Sequence, residues 1–189
     1  MRKIAEENRR HVLATAGALF YEHGIRAVGM DRIVREAEVG NATVYRQFPT
    51  KDDLATAYVQ ERADAWITNM QAAVAEVEDA AEKIRTVFRA TAQDCARPTF
   101  RGCPMLNTNT EFPDREHPAN HVAVVHKSQV RDWLRDLAAD AGARDAERLA
   151  DQLLLVLNGA FATAAVLGPD SAARECEAMA AQLVEAATA

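Results

Sequence analysis

The sequence predicts an all-α protein of about nine helices. Apolar residues recur at the three- and four-residue spacing of a helix face along nearly the whole chain. Alanine is the commonest residue, Gly and Pro number only eight and six, and serine occurs twice, a composition that favours helix. No segment alternates apolar and polar residues as a half-buried strand would. With 49% hydrophobic residues, the 189-residue chain is expected to form a globular protein.

The first three helices are predicted to be one long helix and two short ones. The first ends at Gly24, a residue suited to a left-handed C-cap, and the second follows Gly29. A turn through Gly40 leads to the third helix, for which Asn41 is a favourable N-cap. Pro49 stops this third helix after about two turns.

Six further helices are predicted beyond Pro49. The fourth begins at Thr50-Lys51-Asp52-Asp53, a capping box in which Asp replaces the usual Glu or Gln. The main break in the chain lies between Arg97 and Pro118, which holds four of the six prolines. Other stops and starts indicate a fifth helix through residues 84–95, a short sixth around 105–111, a seventh over 119–141, an eighth over 145–167 and a ninth from about 170.

The eighth helix is apolar on nearly every face from Leu153 to Leu167. Such a helix has to be buried all round, so one face is expected to meet its own domain and another a second copy of the chain. A central core helix in a monomer is the alternative. Asn158, in the middle of this helix, needs a polar partner, which could be its symmetry mate or a ligand. The predicted interface residues are Leu153, Leu157, Phe161, Ala164, Met179 and Leu183.

Charge is distributed unevenly along the chain. The net charge of −6 divides into +3 over residues 1–51 and −9 over residues 52–189. Phosphate binding confined to the N-terminal part fits this asymmetry. No apolar stretch is expected to be long enough to cross a membrane, and the three irregularly spaced cysteines suggest neither disulfides nor a metal site. A cytoplasmic protein without a membrane partner is therefore expected.

The third predicted helix carries the most specific functional signal. It is short, follows a tight turn and holds the hydrogen-bonding side chains of Thr43, Tyr45 and Arg46. These are the properties of a helix that enters the major groove of DNA.

Helices one to four resemble the DNA-binding domain of the TetR (tetracycline-repressor-like) family. The matching run extends from Leu19-Phe20 through Val39 to Leu54 and includes the Thr-x-Tyr pair and the Phe-x-x-Lys step. The resemblance implies a helix-turn-helix DNA-binding domain over residues 1–50 and a ligand-binding and dimerisation domain over residues 51–189. It also implies a homodimeric repressor on a palindromic operator of double-stranded DNA.

The family's DNA-contacting positions can be carried over to this sequence. Gly40, Asn41 and Ala42 match the tip that reads bases, Thr43 and Tyr45 match positions at the DNA surface, and Lys51 matches a phosphate-binding lysine. Arg46 and Gln47 are further candidate contacts, with a solvated face as the alternative. Two positions depart from the pattern, because Gly29 lacks the expected capping hydroxyl and Asp31 would repel phosphate unless Arg32 compensates.

The resemblance also implies a small-molecule effector, bound among the fifth to eighth helices and of unknown identity. The candidate lining residues are mostly apolar or aromatic with a few polar groups, although ordinary core packing would explain most of them. They are Trp66, Met70, Phe88, Cys95, Cys103, Met105, Phe112, His121, Trp133, Asn158 and Phe161. No cofactor, metal or catalytic residue is expected.

Two alternative functions stay open on the sequence alone. Cys103, flanked by Arg101, Gly102 and Pro104, could be an exposed thiol of lowered pKa that senses oxidants or electrophiles. The helix-turn-helix could also serve only protein contacts, in a helical interaction module that does not bind DNA. An enzyme is disfavoured because Ser128 and Ser171 lack a nucleophile-elbow setting, and three histidines near Cys103 give only a weak metal signal.

Overall fold

The structure, a computed structural model, describes the backbone of residues 2–189 and the side chains of residues 3–189. Within that range it contains nine α-helices, one short 3-10 helix and no strand, which confirms the predicted all-α fold. The α-helices are α1 Arg2–His23, α2 Met30–Ala37, α3 Asn41–Gln47, α4 Lys51–Val74, α5 Ala80–Cys95, α6 Pro104–Glu111, α7 Pro118–Asp140, α8 Ala146–Leu167 and α9 Cys176–Thr188. The 3-10 helix Ala172–Glu175 immediately precedes α9.

Most helix ends lie where turn chemistry predicts them. Gly24, Gly142 and Gly168 follow α1, α7 and α8 with φ values of 89°, 81° and 86°, a conformation that favours glycine. The capping box is present, because the Asp53 N–H donates to Thr50 Oγ1 and the Thr50 N–H donates to Asp53 Oδ2, each at 3.0 Å.

One predicted cap is wrong. Asn41 is the first residue of α3, and Gly40 is the N-cap, with no side-chain capping bond. The Gly40 carbonyl accepts the first helical hydrogen bonds, from the N–H groups of Thr43 at 2.8 Å and Val44 at 3.2 Å. The side chain of Asn41 is consequently exposed rather than used as a cap.

The chain forms two compact units. The first contains the residues up to Asp64 together with Pro104–Val124, and the second contains Ala65–Cys103 and Val125–Ala189. Helices α4 and α7 therefore each contribute residues to both units. Compactness does not say which residues bind a ligand, so the functional boundary between residues 50 and 51 stays a prediction.

In the first unit, α3 is held by two apolar side chains. Val44 and Phe48 are 0% and 1% exposed, in a core that also contains Val12, Phe20 and Ile33. A helix of seven residues is marginal on its own in water, so α3 depends on this burial for its stability.

In the second unit, α8 contacts α5 and α9. Four of the predicted interface residues are buried within the protein's own core, namely Leu153, Leu157, Phe161 and Ala164. The prediction that this side of α8 contacts a second subunit was therefore wrong. Periodicity could not identify the outward stripe because α8 is apolar on nearly every face from Leu153 to Leu167.

Helix α8 also corrects the expectation that no segment could cross a membrane. By length and composition alone this 22-residue helix could do so. Seven of its residues are nevertheless buried, as in the core helix of a globular unit.

Candidate nucleic-acid interface

The residues of α3 divide between an inner and an outer side. Val44 is fully buried, whereas Asn41, Ala42 and Arg46 are exposed and Tyr45 is 41% exposed. Thr43 is half-buried beside them. The outer side therefore presents an amide, a phenol and a guanidinium that can donate to phosphates or base edges.

The C-terminal end of α3 is tied to α1. The Arg9 Nη1–H donates to the Gln47 carbonyl at 3.1 Å, and the Arg9 guanidinium lies 4.3 Å from the centroid of Phe48. The Gln47 side-chain amide donates to the Ala5 carbonyl at 3.3 Å. These contacts orient α3, and a DNA contact by the Gln47 amide would require breaking its bond to α1.

Lys51 lies at the N-terminus of α4 and is half-buried. Its Nζ donates to the Arg26 carbonyl at 3.1 Å, and burial lowers the pKa of the Lys51 ammonium from its ordinary value of 10.5. A lysine at a helix N-terminus combines its own charge with the positive end of the helix dipole, which suits phosphate.

The two positions that depart from the expected sequence pattern, Gly29 and Asp31, lie at the start of α2. Gly29 is the N-cap of α2 and makes no side-chain capping bond, and Asp31 is exposed. Arg32, the candidate to offset Asp31, donates instead to Glu36 Oε1 at 2.8 Å and lies 3.0 Å from His23 Nε2. Its guanidinium is therefore already engaged within the protein.

A carboxylate of α6 anchors the turn between α1 and α2. Glu111 Oε1 accepts from the Ile25 N–H at 2.9 Å, and Oε2 accepts from the Arg26 N–H at 2.7 Å. A Cβ on Gly24, where φ is 89°, would lie 3.4 Å from Glu111 Oε2. Sequence reasoning missed this anchor, because no local pattern links residues about 85 positions apart.

Three predicted ligand residues belong to this first unit. Met105 and Phe112 are buried and His121 is exposed. Phe112 stacks on the His117 ring with centroids 4.1 Å apart, and the Arg26 guanidinium lies 5.4 Å from its centroid. Phe112 therefore packs beside the Glu111 anchor.

The other predicted ligand residues belong to the second unit, where several make aromatic or polar contacts. Trp66 is edge-on to Trp133 and His126, with centroids 6.5 and 5.6 Å away. Phe161 stacks on Phe100, and Asn158 accepts a hydrogen bond from Lys127. Met70 is half-buried, and Phe88 and Cys95 are buried.

The cysteines do not support the exposed thiol considered from the sequence. Cys103 is only 7% exposed, so it is not the accessible thiol that this alternative requires. Burial raises the pKa of the Cys95 thiol to about 12 and that of Cys176 to about 11. A raised pKa reduces the thiolate fraction, which is the reactive form. Among residues 3–189, no group of three or more His, Cys, Asp or Glu side chains is placed to hold a metal ion.

The family model described as "Bacterial regulatory proteins, tetR family" matches residues 12–58 of this chain. A curated HTH-type transcriptional regulator from Staphylococcus aureus is 39% identical over 71 residues, which span 38% of each chain. A solved TetR-family transcriptional regulator from Streptomyces coelicolor is 31% identical over 97% of both chains, with a TM-score of 0.93. Another structure, from Streptomyces avermitilis, is 31% identical over 95% of this chain and 97% of its own, with a TM-score of 0.85.

We predict that Glu111→Ala loosens the turn between α1 and α2. The N–H groups of Ile25 and Arg26 would lose a charged acceptor, and the free energy of unfolding should fall by about 1–3 kcal/mol. Hydrogen exchange measured by NMR should accelerate at these two amides. The control is Glu116→Ala, on an exposed carboxylate of the same unit, which should leave both exchange rates unchanged. Equal rates in Glu111→Ala and the wild type would contradict the anchor.

We predict that Cys95 and Cys176 resist alkylation by iodoacetamide at about pH 8, where an ordinary thiol reacts. Mass spectrometry should find both unmodified in the native protein and modified in denaturant. Because the folded state holds these protons more tightly, stability should decline as the pH rises from 9.0 towards the folded pKa values of about 11 and about 12. Rapid labelling of either thiol in the native state would show that these side chains are not buried in solution.

Proposed function

The chain belongs to the TetR family of bacterial transcriptional regulators, and from this premise we propose that it represses transcription as a ligand-responsive homodimer. The two subunits would bind the half-sites of a palindromic operator in the cytoplasm. Binding of a small molecule would then release the DNA. The family is regulatory rather than enzymatic.

The observation that carries DNA recognition is the exposed side of α3. Asn41, Tyr45 and Arg46 project from a helix whose other side is buried, and Thr43 lies at its edge. Lys51 stands at the N-terminus of the next helix, and the first 51 residues carry a charge of +3. We propose that Lys51 and Tyr45 bind phosphates, while Asn41 and Arg46 contact base edges together with the small residues Gly40 and Ala42.

The proposed dimer interface is the outward stripe of α8 with the adjoining part of α9. Leu155 and Val166 are 72% and 81% exposed, and Gly159 between them leaves room for close helix packing. Met179 of α9 is 50% exposed and Leu183 is half-buried. A contiguous apolar surface of this kind indicates a protein interface, and a second copy provides the same surface in return.

The proposed release mechanism depends on the distance between the two α3 helices of the dimer. These helices must lie about 34–36 Å apart to enter successive major grooves. A ligand that binds only one conformation of the dimer would shift the population towards an unsuitable spacing. Helix α4 is the proposed lever, because it begins at Lys51 and continues into the second unit.

The alternatives are less well supported. A regulator that senses oxidants through Cys103 would need an accessible thiol, whereas Cys103 is buried. An interaction module that does not bind DNA would not account for the hydrogen-bond donors on the exposed side of α3.

We predict that Arg46→Ala weakens binding to the DNA upstream of the encoding gene. Loss of one good base contact should reduce affinity by about 1–3 kcal/mol with an unchanged salt slope. Loss of a phosphate contact should instead lower the slope of log K against log salt by about 0.9. Gel shifts at several salt concentrations separate the two results.

The charge-matched control for this measurement is Arg148→Ala, in the second unit. Arg148 is exposed, and its substitution should leave the affinity for DNA unchanged. Equal losses in the two variants, or the absence of a retarded complex with wild-type protein at low salt, would refute the assignment.

We predict that the double substitution Leu155→Glu and Val166→Glu produces monomers. Two charges would have to be buried in an apolar interface without partners, which strongly disfavours association. Size-exclusion chromatography with light scattering should give twice the chain mass of 20.7 kDa for the wild type and 20.7 kDa for the variant. Ile4→Glu, on an exposed apolar residue of the first unit, is the control and should remain dimeric.

A further inference from the structure

A lysine and an asparagine face each other between two helices of the second unit. Lys127 of α7 donates from Nζ to Asn158 Oδ1 of α8 at 2.6 Å, and both side chains are half-buried. A lysine ammonium can only donate, so this bond fixes the orientation of the Asn158 amide. The Nδ2 group of Asn158, with its two N–H donors, is left for another acceptor.

The charge of Lys127 is not matched by a carboxylate. No Asp or Glu among residues 3–189 forms an ion pair with Lys127, and none stands three or four positions away on α7 or from Asn158 on α8. Arg131, one turn further along α7, provides the contrast, because its guanidinium lies 2.6 Å from Asp151 and 2.8 Å from Glu147. Lys127 is half-buried without a carboxylate partner, so an anion bound beside it would gain a charge-assisted hydrogen bond without displacing an internal ion pair.

Two aromatic rings lie beside this polar pair. The Lys127 Nζ is 5.5 Å from the centroid of Phe161, and Phe161 stacks on Phe100 with centroids 6.1 Å apart and an interplanar angle of 24°. Ligand sites commonly combine apolar walls with a few polar groups that orient the ligand. An anionic head bound at Lys127 would place the remainder of a small molecule near these rings.

We propose that Lys127 and Asn158 bind the carboxylate of an organic acid whose apolar body contacts Phe100 and Phe161. The Lys127 ammonium supplies charge and the Asn158 amide supplies a second donor, so a neutral amide of the same shape binds less well. This inference rests on the proposed function, because it names organic acids as the class of effector. It also accounts for a polar residue in the middle of an otherwise apolar helix.

The test uses the full chain and measures binding of benzoate and hexanoate by calorimetry, with benzamide and hexanamide as neutral counterparts. We expect saturable binding of at least one acid. The protein should bind the corresponding amide at least about tenfold more weakly than the acid. Asn158→Asp is the central variant, because it nearly keeps the shape and gives Lys127 an internal carboxylate that competes with the ligand.

Asn158→Asp and Lys127→Met should each weaken binding of the acid by about tenfold or more. Lys83→Met, the same change on α5 of the same unit, is the matched control and should bind the acid as the wild type does. Circular dichroism verifies that each variant is folded. Equal binding of acid and amide, undiminished binding by Asn158→Asp, or no binding of either acid at millimolar concentrations would overturn the proposal.

Two further measurements separate this inference from the proposed function. If the acids bind but do not release operator DNA, the anion site stands and ligand-controlled repression fails. If the protein dimerises and binds operator but no acid binds, the anion site fails and the regulator stands. If Lys127→Met converts the dimer into monomers, the anion at Lys127 belongs to the partner subunit and the effector site is refuted.

Discussion

DNA recognition in this protein depends on the burial of Val44 and Phe48. Helix α3 has only seven residues, too few for a stable helix on its own, and these two side chains fix it to the first unit. The same burial decides which residues face outward. With Val44 and Phe48 inward, the 3.6-residue period turns Ala42 and Arg46 outward and leaves Tyr45 at the flank. Asn41 is exposed at the first position of the helix.

Several weaker contacts then limit how α3 can move. Arg9 covers the ring of Phe48 and binds the last carbonyl of the helix, where a cation also complements the helix dipole. Glu111 holds the turn between α1 and α2 through two adjacent N–H groups. In the DNA-reading role proposed for α3, these contacts preorganise the helix, so little conformational entropy remains to be lost on binding DNA.

Local chemistry made part of this structure predictable from the sequence. The glycine stops and the capping box at Thr50 depend on neighbouring residues and lie where they were expected. Val44 and Phe48 stand four residues apart, the spacing of one helix face, and both are buried. The cap of α3 was displaced by one residue, because the Gly40 carbonyl rather than the Asn41 side chain starts the helix.

Features that depend on distant residues could not be predicted. The outward stripe of α8 is decided by what packs beside it, because the helix is apolar on nearly every face from Leu153 to Leu167. The Glu111 anchor and the Lys127–Asn158 pair join residues 31 to 86 positions apart, and no spacing rule relates them. The setting of Cys103 between Arg101, Gly102 and Pro104 leaves an exposed thiol open as an alternative, and only the fold shows that Cys103 is buried.

The account holds that two copies of α3, carried by one dimer, read successive major grooves. Hydroxyl-radical footprinting of the wild-type protein on the DNA upstream of its gene tests this most directly. We expect two protected half-sites with centres about one helical turn, or 34–36 Å, apart, related by a two-fold axis. A single protected half-site, or no protection at concentrations where the protein is dimeric, would contradict it.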